Sequence, residues 1–213
     1  NVRQGINIFS GSYTIINNNT IQANLVHSIL LSVPDNNTIS NNLLDNNDNG
    51  VDVLSIMSGS DYNNITRNVI VNGSTGIQIN WSRSSTIKSV WNNISGNNIT
   101  GNSIAGIIIS NISFSAGNGT NYIQSNNQIT FNPIGIYINY SNFTNISSNI
   151  INFNTGDAIR IESSNNTFVI GNTLAENTRY GIFLSKSNTS LLDANTIRGN
   201  IQYGILLNQS YEN

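Results

Sequence analysis

A glycine followed by an apolar residue, any residue and a second apolar residue returns every 22 to 30 residues along this chain. The copies are Gly5-Ile6-Asn7-Ile8, Gly50-Val51-Asp52-Val53, Gly76-Ile77-Gln78-Ile79, Gly106-Ile107-Ile108-Ile109, Gly135-Ile136-Tyr137-Ile138, Gly181-Ile182-Phe183-Leu184 and Gly204-Ile205-Leu206-Leu207. Ser28-Ile29-Leu30-Leu31 and Ala158-Ile159-Arg160-Ile161 fill the gaps as degenerate copies. A unit this short cannot bury its own apolar side chains, so each copy must stack on its neighbours.

Between the glycine steps lies a second signature, Asn-x-apolar-x-x-Asn. It reads as Asn19/Ile21/Asn24, Asn41/Leu43/Asn46, Asn97/Ile99/Asn102, Asn127/Ile129/Asn132, Asn149/Ile151/Asn154, Asn172/Leu174/Asn177 and Asn195/Ile197/Asn200, with the copy near Asn68 and Asn72 one residue out of register. A third apolar position precedes each: Ile16, Ile39, Ile65, Ile94, Ile123, Ile146, Val169 and Leu192. Apolar residues alternate within each segment, helical spacing is nowhere sustained, and β-branched residues dominate. The expectation is an all-β, single-stranded parallel β-helix of about nine rungs, each with three short strands, over residues 1–213 as one domain. The chain begins and ends within a repeat, which points to a longer array or end-to-end assembly.

Stacking accounts for the composition. Only 8% of residues are charged, against about a quarter in ordinary soluble domains, and roughly a fifth are Asn. A charged column would set like charges above one another, whereas an Asn column donates and accepts along the axis. Glycine before the strand is expected to serve a left-handed corner. A net charge of −2 removes the electrostatic case for nucleic acid, and the absence of cysteine removes thiolate chemistry and disulfides. No apolar run is long enough for a membrane span. Fifteen Asn-x-Ser/Thr sequons, among them those at Asn80, Asn111, Asn118, Asn142, Asn188 and Asn208, point to a secreted, glycosylated chain.

The Gly-Ile-x-Ile and Asn-x-Ile-x-x-Asn signatures over residues 5–208 resemble the right-handed parallel β-helix repeat family of archaeal and bacterial surface proteins, adhesin-like chains and carbohydrate-active enzymes. The resemblance implies right-handedness, and it specifies fold better than activity.

The repeat lengthens between Val51 and Ile136, and the excess falls at 81–91 and 110–122. Insertions in solenoids gather on one face, often the binding face. Tyr62, Trp81, Trp91, Phe114, Tyr122 and Tyr140 belong to this region and form the candidate ligand-binding set; the same aromatics would also serve to cover the loop backbone against the rod. The outward row between the two inward apolar positions reads Leu30, Asp52, Gln78, Ile108, Tyr137, Arg160, Phe183 and Leu206.

Enzymes on this fold are expected to use carboxylate clusters for proton transfer or cation binding. Asp52, Asp157, Asp193, Glu162 and Glu176 read as different repeat positions, so no catalytic residue is assigned. The segment Asp45-Asn46-Asn47-Asp48-Asn49-Gly50 opens like a calcium loop, but Ile56 stands where its bidentate Glu belongs, so no metal site or cofactor is assigned. Arg160 and Glu162 read as a surface pair, and His27 as structural. The resulting expectation is a non-enzymatic, extracellular cell-surface module whose partner is a surface glycan, a protein or another copy of itself. The alternative is a polysaccharide lyase, hydrolase or epimerase.

Overall fold

The computed structural model describes residues 4–45, 52–57, 59–80, 89–112 and 119–213. These form a right-handed parallel β-helix with three sheets, one of nine strands and two of eight, and no helix among the described residues. Turns are numbered here by the first-sheet strand that opens each: Gln4–Phe9, His27–Ser32, Asp52–Met57, Thr75–Asn80, Ala105–Ser110, Ile134–Asn139, Ile159–Glu162, Tyr180–Ser185 and Tyr203–Asn208. Every strand pairs in parallel with its counterpart one turn away, for example Ile77 with Ile107 and Ile94 with Ile123. At about 4.8 Å per rise, the stack is about 40 Å long.

The alternation of the sequence fixes which side chains enter. Ile77 and Ile79 from the first sheet, Ile65 and Ile94 from the second, and Ile70 and Ile99 from the third are all fully buried in one continuous core. Between the second and third sheets the chain turns through left-handed residues such as Asn18, Asn41, Arg67, Gly96 and Gly171. Beside that corner an Asn column runs along the axis. Asn42, Asn68, Asn97, Asn127, Asn149 and Asn172 each donate through Nδ2 to the Oδ1 of the next Asn, at 2.8–3.1 Å. A second column, Asn102, Asn132, Asn154, Asn177 and Asn200, does the same between the third and first sheets.

Three readings of the repeat are corrected. In turn 3 the inward pair is Leu54 and Ile56, not Val51 and Val53: Leu54 pairs with Ile29 and Ile77, which puts Ser55, not Asp52, in the outward row. In turn 2 the column residue is Asn42 and the inward residue Leu44, because Leu43 faces outward at 38% exposure. The copy around residue 68 is in register, with Asn68 in the column and Ile70 buried, and its second Asn is replaced by Gly73.

The glycine of the repeat is also needed for a different reason than expected. Gly76, Gly106, Gly135 and Gly181 are absent from the left-handed region. They are required by close approach: a Cβ on Gly106 would sit 2.6 Å from Ile129 Cγ2 and 2.7 Å from the Gly135 carbonyl oxygen.

Candidate functional site

The outward face of the first sheet carries three of the four ion pairs among the described residues. Parallel register sets Tyr137 opposite Arg160 and Asn139 opposite Glu162. Tyr137 Oη donates to Glu162 Oε2 at 2.6 Å. Arg160 donates to Glu162 Oε1 through Nε at 2.9 Å and Nη2 at 2.7 Å, and to Asp157 Oδ2 through Nη1 at 3.3 Å. Asp157, fully buried, also accepts from the Tyr180 backbone N–H and lies 3.8 Å from Arg179 Nε. The two guanidinium groups rest on aromatic rings, Arg160 at 5.0 Å from Phe183 and Arg179 at 4.8 Å from Tyr180.

This packing separates the two carboxyl groups electrostatically. Burial pushes Asp157 above the ordinary carboxylate value, and Arg179, Arg160 and the Tyr180 N–H offset this only in part. Burial acts on Glu162 in the same sense, but the hydrogen bonds from Tyr137 and Arg160, with the Arg160 charge, outweigh it and leave Glu162 below its ordinary value. Burial and the Glu162 carboxylate raise the Tyr137 hydroxyl to about 12. At neutral pH the cluster therefore holds an ionised Glu162 against a protonated phenol and a guanidinium.

Beside the cluster a cleft of about 290 Å³ is lined by Asn139, Tyr140, Glu162, Ser163, Ser185 and Lys186. Its origin is a dip in side-chain size: Ser163 lies between Tyr140 of the preceding turn and Lys186 of the next in one corner column. Lys186 takes part in none of the ion pairs among the described residues.

Nearer the start of the chain, the same face holds a second polar group. Asp52 is 4% exposed and accepts from Thr75, and the Gln78 amide nitrogen donates to its Oδ1 at 2.9 Å when turned towards it. His27 Nδ1 meets the Asp52 carbonyl oxygen at 2.9 Å. Burial raises the Asp52 carboxyl, with His27 and Thr75 opposing.

The expected ligand-binding aromatics do not form one site. Tyr62, Trp91 and Tyr122 stack in a ladder with centroids 6.2 and 6.3 Å apart, which turns their faces towards each other. Tyr140 instead lines the cleft beside Glu162. Trp81 and Phe114 lie outside the described residues, as do 46–50 of the calcium-like segment and the sequon Asn118. Among the other sequons, Asn111 and Asn208 are exposed, and Asn111 Nδ2 donates to Asn80 Oδ1. Asn142 and Asn188 are half-buried and accept backbone N–H groups through their side-chain oxygens.

Sequence reasoning named Tyr137, Arg160 and Glu162 but missed their union with Asp157 and Arg179. It also placed no carboxylates in a common row. The structure does: Asp61 N–H donates to Asp35 Oδ1 one turn away, and Asp157 occupies the same column as Asp52, four turns apart. The available signal was the offset to the inward pair: Asp157 stands two residues before Ile159, as Asp52 does before Leu54.

A family model described as periplasmic copper-binding protein (NosD) matches residues 1–113 and 91–213, two overlapping stretches that span the chain. No curated protein matches it. Among solved structures, the A-module of mannuronan C-5 epimerase AlgE6 from Azotobacter vinelandii is 17% identical with a TM-score of 0.78, over 95% of this chain and 57% of that one. The AlgE4 A-module from the same organism is 17% identical with a TM-score of 0.79, over 95% and 58%. The periplasmic alginate epimerase AlgG is 15% identical with a TM-score of 0.58, over 98% and 46%. The chain thus spans roughly half the length of these proteins, and the likeness is one of fold. It nevertheless overturns the expectation of a non-enzymatic rod, because the scaffolds this chain superposes on are those of enzymes. Matched by its model from end to end, the chain belongs to the NosD family of parallel β-helix repeat proteins.

Proposed function

We propose that this chain is a polysaccharide-active β-helix of the cell envelope that holds a uronate polymer along the outward face of its first sheet and exchanges the proton at C-5. The carrying observation is that Glu162, hydrogen-bonded by Tyr137 and Arg160, forms one wall of a cleft whose others are Tyr140 and the exposed Lys186. Lys186 supplies the charge that neutralises a uronate carboxylate and so acidifies the adjacent C–H. Arg160 uses three of its five N–H groups on Glu162 and Asp157, leaving two for the ligand. Asn139, Ser163 and Ser185 offer hydrogen bonds to sugar hydroxyls, and Tyr140 an apolar wall. Glu162 takes the C-5 proton as the C–H electron pair moves into the neutralised uronate carboxyl, passes that proton to solvent and returns a solvent proton as the pair flows back to C-5, while the hydrogen bond from Tyr137 keeps the resting Glu162 ionised and in place. The epimerase activity named for the AlgE and AlgG proteins supports this class of reaction, and the periplasmic NosD and AlgG support an envelope location.

Copper, which the family description names, does not fit the residues present. Its preferred donors are thiolate, thioether and imidazole, and this chain has no cysteine, one methionine and one histidine. Met57 lies opposite Ser32, five residues along the strand from His27, which puts the two about 16 Å apart. No step is assigned to a metal.

The test is incubation of the protein with mannuronan, polygalacturonate and a neutral glucan in D2O. Deuterium at uronate C-5 is expected by NMR, with absorbance at 232 nm reporting any elimination, and Glu162→Gln is expected to abolish exchange while keeping binding. Failure to alter or bind either uronan would overturn the reading.

A further inference from the structure

A second cleft lies on a different face. It measures about 360 Å³ and is lined on the second sheet and its corner by Asn64, Thr66, Arg67, Asn93, Ser95 and Gly96, with Ser125 beyond. Its shape has the same cause as the first: Arg67, Gly96 and Ser125 follow one another at the corner, and the missing side chain of Gly96 leaves a notch beside Arg67. Arg67 is exposed and takes part in none of the ion pairs among the described residues.

The floor is a directional amide chain. Gln124 Nε2 donates to Asn93 Oδ1 at 3.0 Å, and Asn93 Nδ2 donates to Asn64 Oδ1 at 2.8 Å. That order leaves an amide donor on Asn64 at one end and a carbonyl acceptor on Gln124 at the other. The same column continues into the aromatic ladder: Tyr122 follows Asn93 in register, and Trp91 stacks on Tyr122, so the ladder offers its ring edges beside the floor. A cation on one side, neutral donors and acceptors between, and an apolar aromatic wall on the other are the three contacts that an acidic sugar presents together. A bare anion would use only the first of these.

We propose that this face is a second carbohydrate site, which takes an oligouronate with its carboxylate on Arg67, its hydroxyls on the Asn64–Asn93 floor and an apolar C–H edge against the exposed ring edges of Trp91 and Tyr122. It does not rest on the reading of the first-sheet cleft.

Trp91 provides the readout. In a Trp81→Phe background it is the remaining tryptophan, so titration with tetragalacturonate is expected to change its emission saturably. Arg67→Ala is expected to weaken that binding at least tenfold, and Arg198→Ala, at an exposed cation on the third sheet outside both clefts, to leave it unchanged. Gly96→Asn, which tolerates the local φ of +63°, fills the notch and weakens binding as well. Arg67 is exposed at a corner, so its variant should melt with the parent, which confirms that lost binding is not lost folding. Unchanged Trp91 emission, equal affinity in Arg67→Ala, equal binding of cellotetraose, or the same response to sodium sulfate at matched ionic strength would each overturn the proposal. Loss of binding only in Lys186→Ala would return the ligand to the first-sheet cleft.

Discussion

Tyr137 and Glu162, one turn apart on the outward face of the first sheet, share a 2.6 Å hydrogen bond that ties their two titrations together. The bond stabilises the ionised carboxylate and holds the phenol protonated, up to about 12 for Tyr137. Its removal in Tyr137→Phe should cost about 1 kcal/mol in urea unfolding at pH 7, less than the about 1.5–3 kcal/mol of a buried charged hydrogen bond because both groups are partly exposed. The pH dependence should change at both ends. Glu162, depressed in the folded state, stabilises above its unfolded value and loses that contribution as pH falls through the folded one, so the acid decline should become shallower in the variant. Tyr137, raised in the folded state, loses its contribution as pH climbs from about 10 to about 12, and that loss should vanish. Parallel profiles for the two proteins would show that the bond is not formed in solution.

Asp52 has the opposite sign from Glu162. Burial raises its carboxyl, so the folded state favours the protonated form and is penalised as pH rises through the carboxylate range. Asp52→Asn should therefore match the parent at low pH and become progressively more stable as pH rises to 7. At about 2–4 °C per kcal/mol for a chain of this size, the gap is readable in thermal melts. A constant gap across that range would mean that ionisation of Asp52 is not penalised.

The core was legible because stacking repeats it: Ile16, Ile39, Ile65 and Ile94 stand at one position and fill one column. The site was not, because its members meet through two different directions. Asp157, Arg160 and Glu162 follow one another along one stretch of chain, the last two on its strand, whereas Tyr137 and Arg179 reach them from outside it. A pattern read one position at a time registers the columns and misses such a diagonal. Turn 3 misled for another reason: Gly50 offers a glycine step three residues before the true one, where Val53 takes the glycine's place.

Within the buried column, Asn97 is a fully bonded member whose loss should be costly. Its Oδ1 accepts from both the Asn68 N–H and Nδ2, at 2.9 and 3.0 Å, and its Nδ2 donates to Asn127 Oδ1 and the Ile65 carbonyl. Asn97→Ala orphans the Asn68 N–H where no water reaches, at about 1–3 kcal/mol, and takes one partner from the Ile65 oxygen, at about 1 kcal/mol, for a total of about 2–4 kcal/mol. Asn195→Ala removes the equivalent contacts at the half-buried end of the column and should cost about 1 kcal/mol, since water replaces them. Equal losses in urea titrations of the two variants would refute the column as a source of stability.

Val53 and Gly73 invert the pairing used elsewhere. In regular turns a glycine faces a buried Asn, and a Cβ on Gly76 would lie 3.1 Å from Asn102 Nδ2, on Gly135 3.2 Å from Asn154 Nδ2. In turn 3 the bulk is on the other partner: Val53 fills the space and Gly73 vacates it, since a Cβ there would collide with Val53 Cγ2. Gly73→Asn alone should overpack the corner and cost about 1–3 kcal/mol. Val53→Gly alone should leave a cavity and a freer backbone, at about 2–5 kcal/mol. Together they rebuild the regular pair, and the Gly73 N–H already donates to Asn102 Oδ1 at 3.0 Å as the Asn residues of that column do. The double variant should therefore be more stable than the sum of the singles predicts, by about 1–3 kcal/mol in a double-mutant cycle. Strict additivity would mean that the two positions do not share the space, and that the exchange in this turn is coincidence rather than compensation.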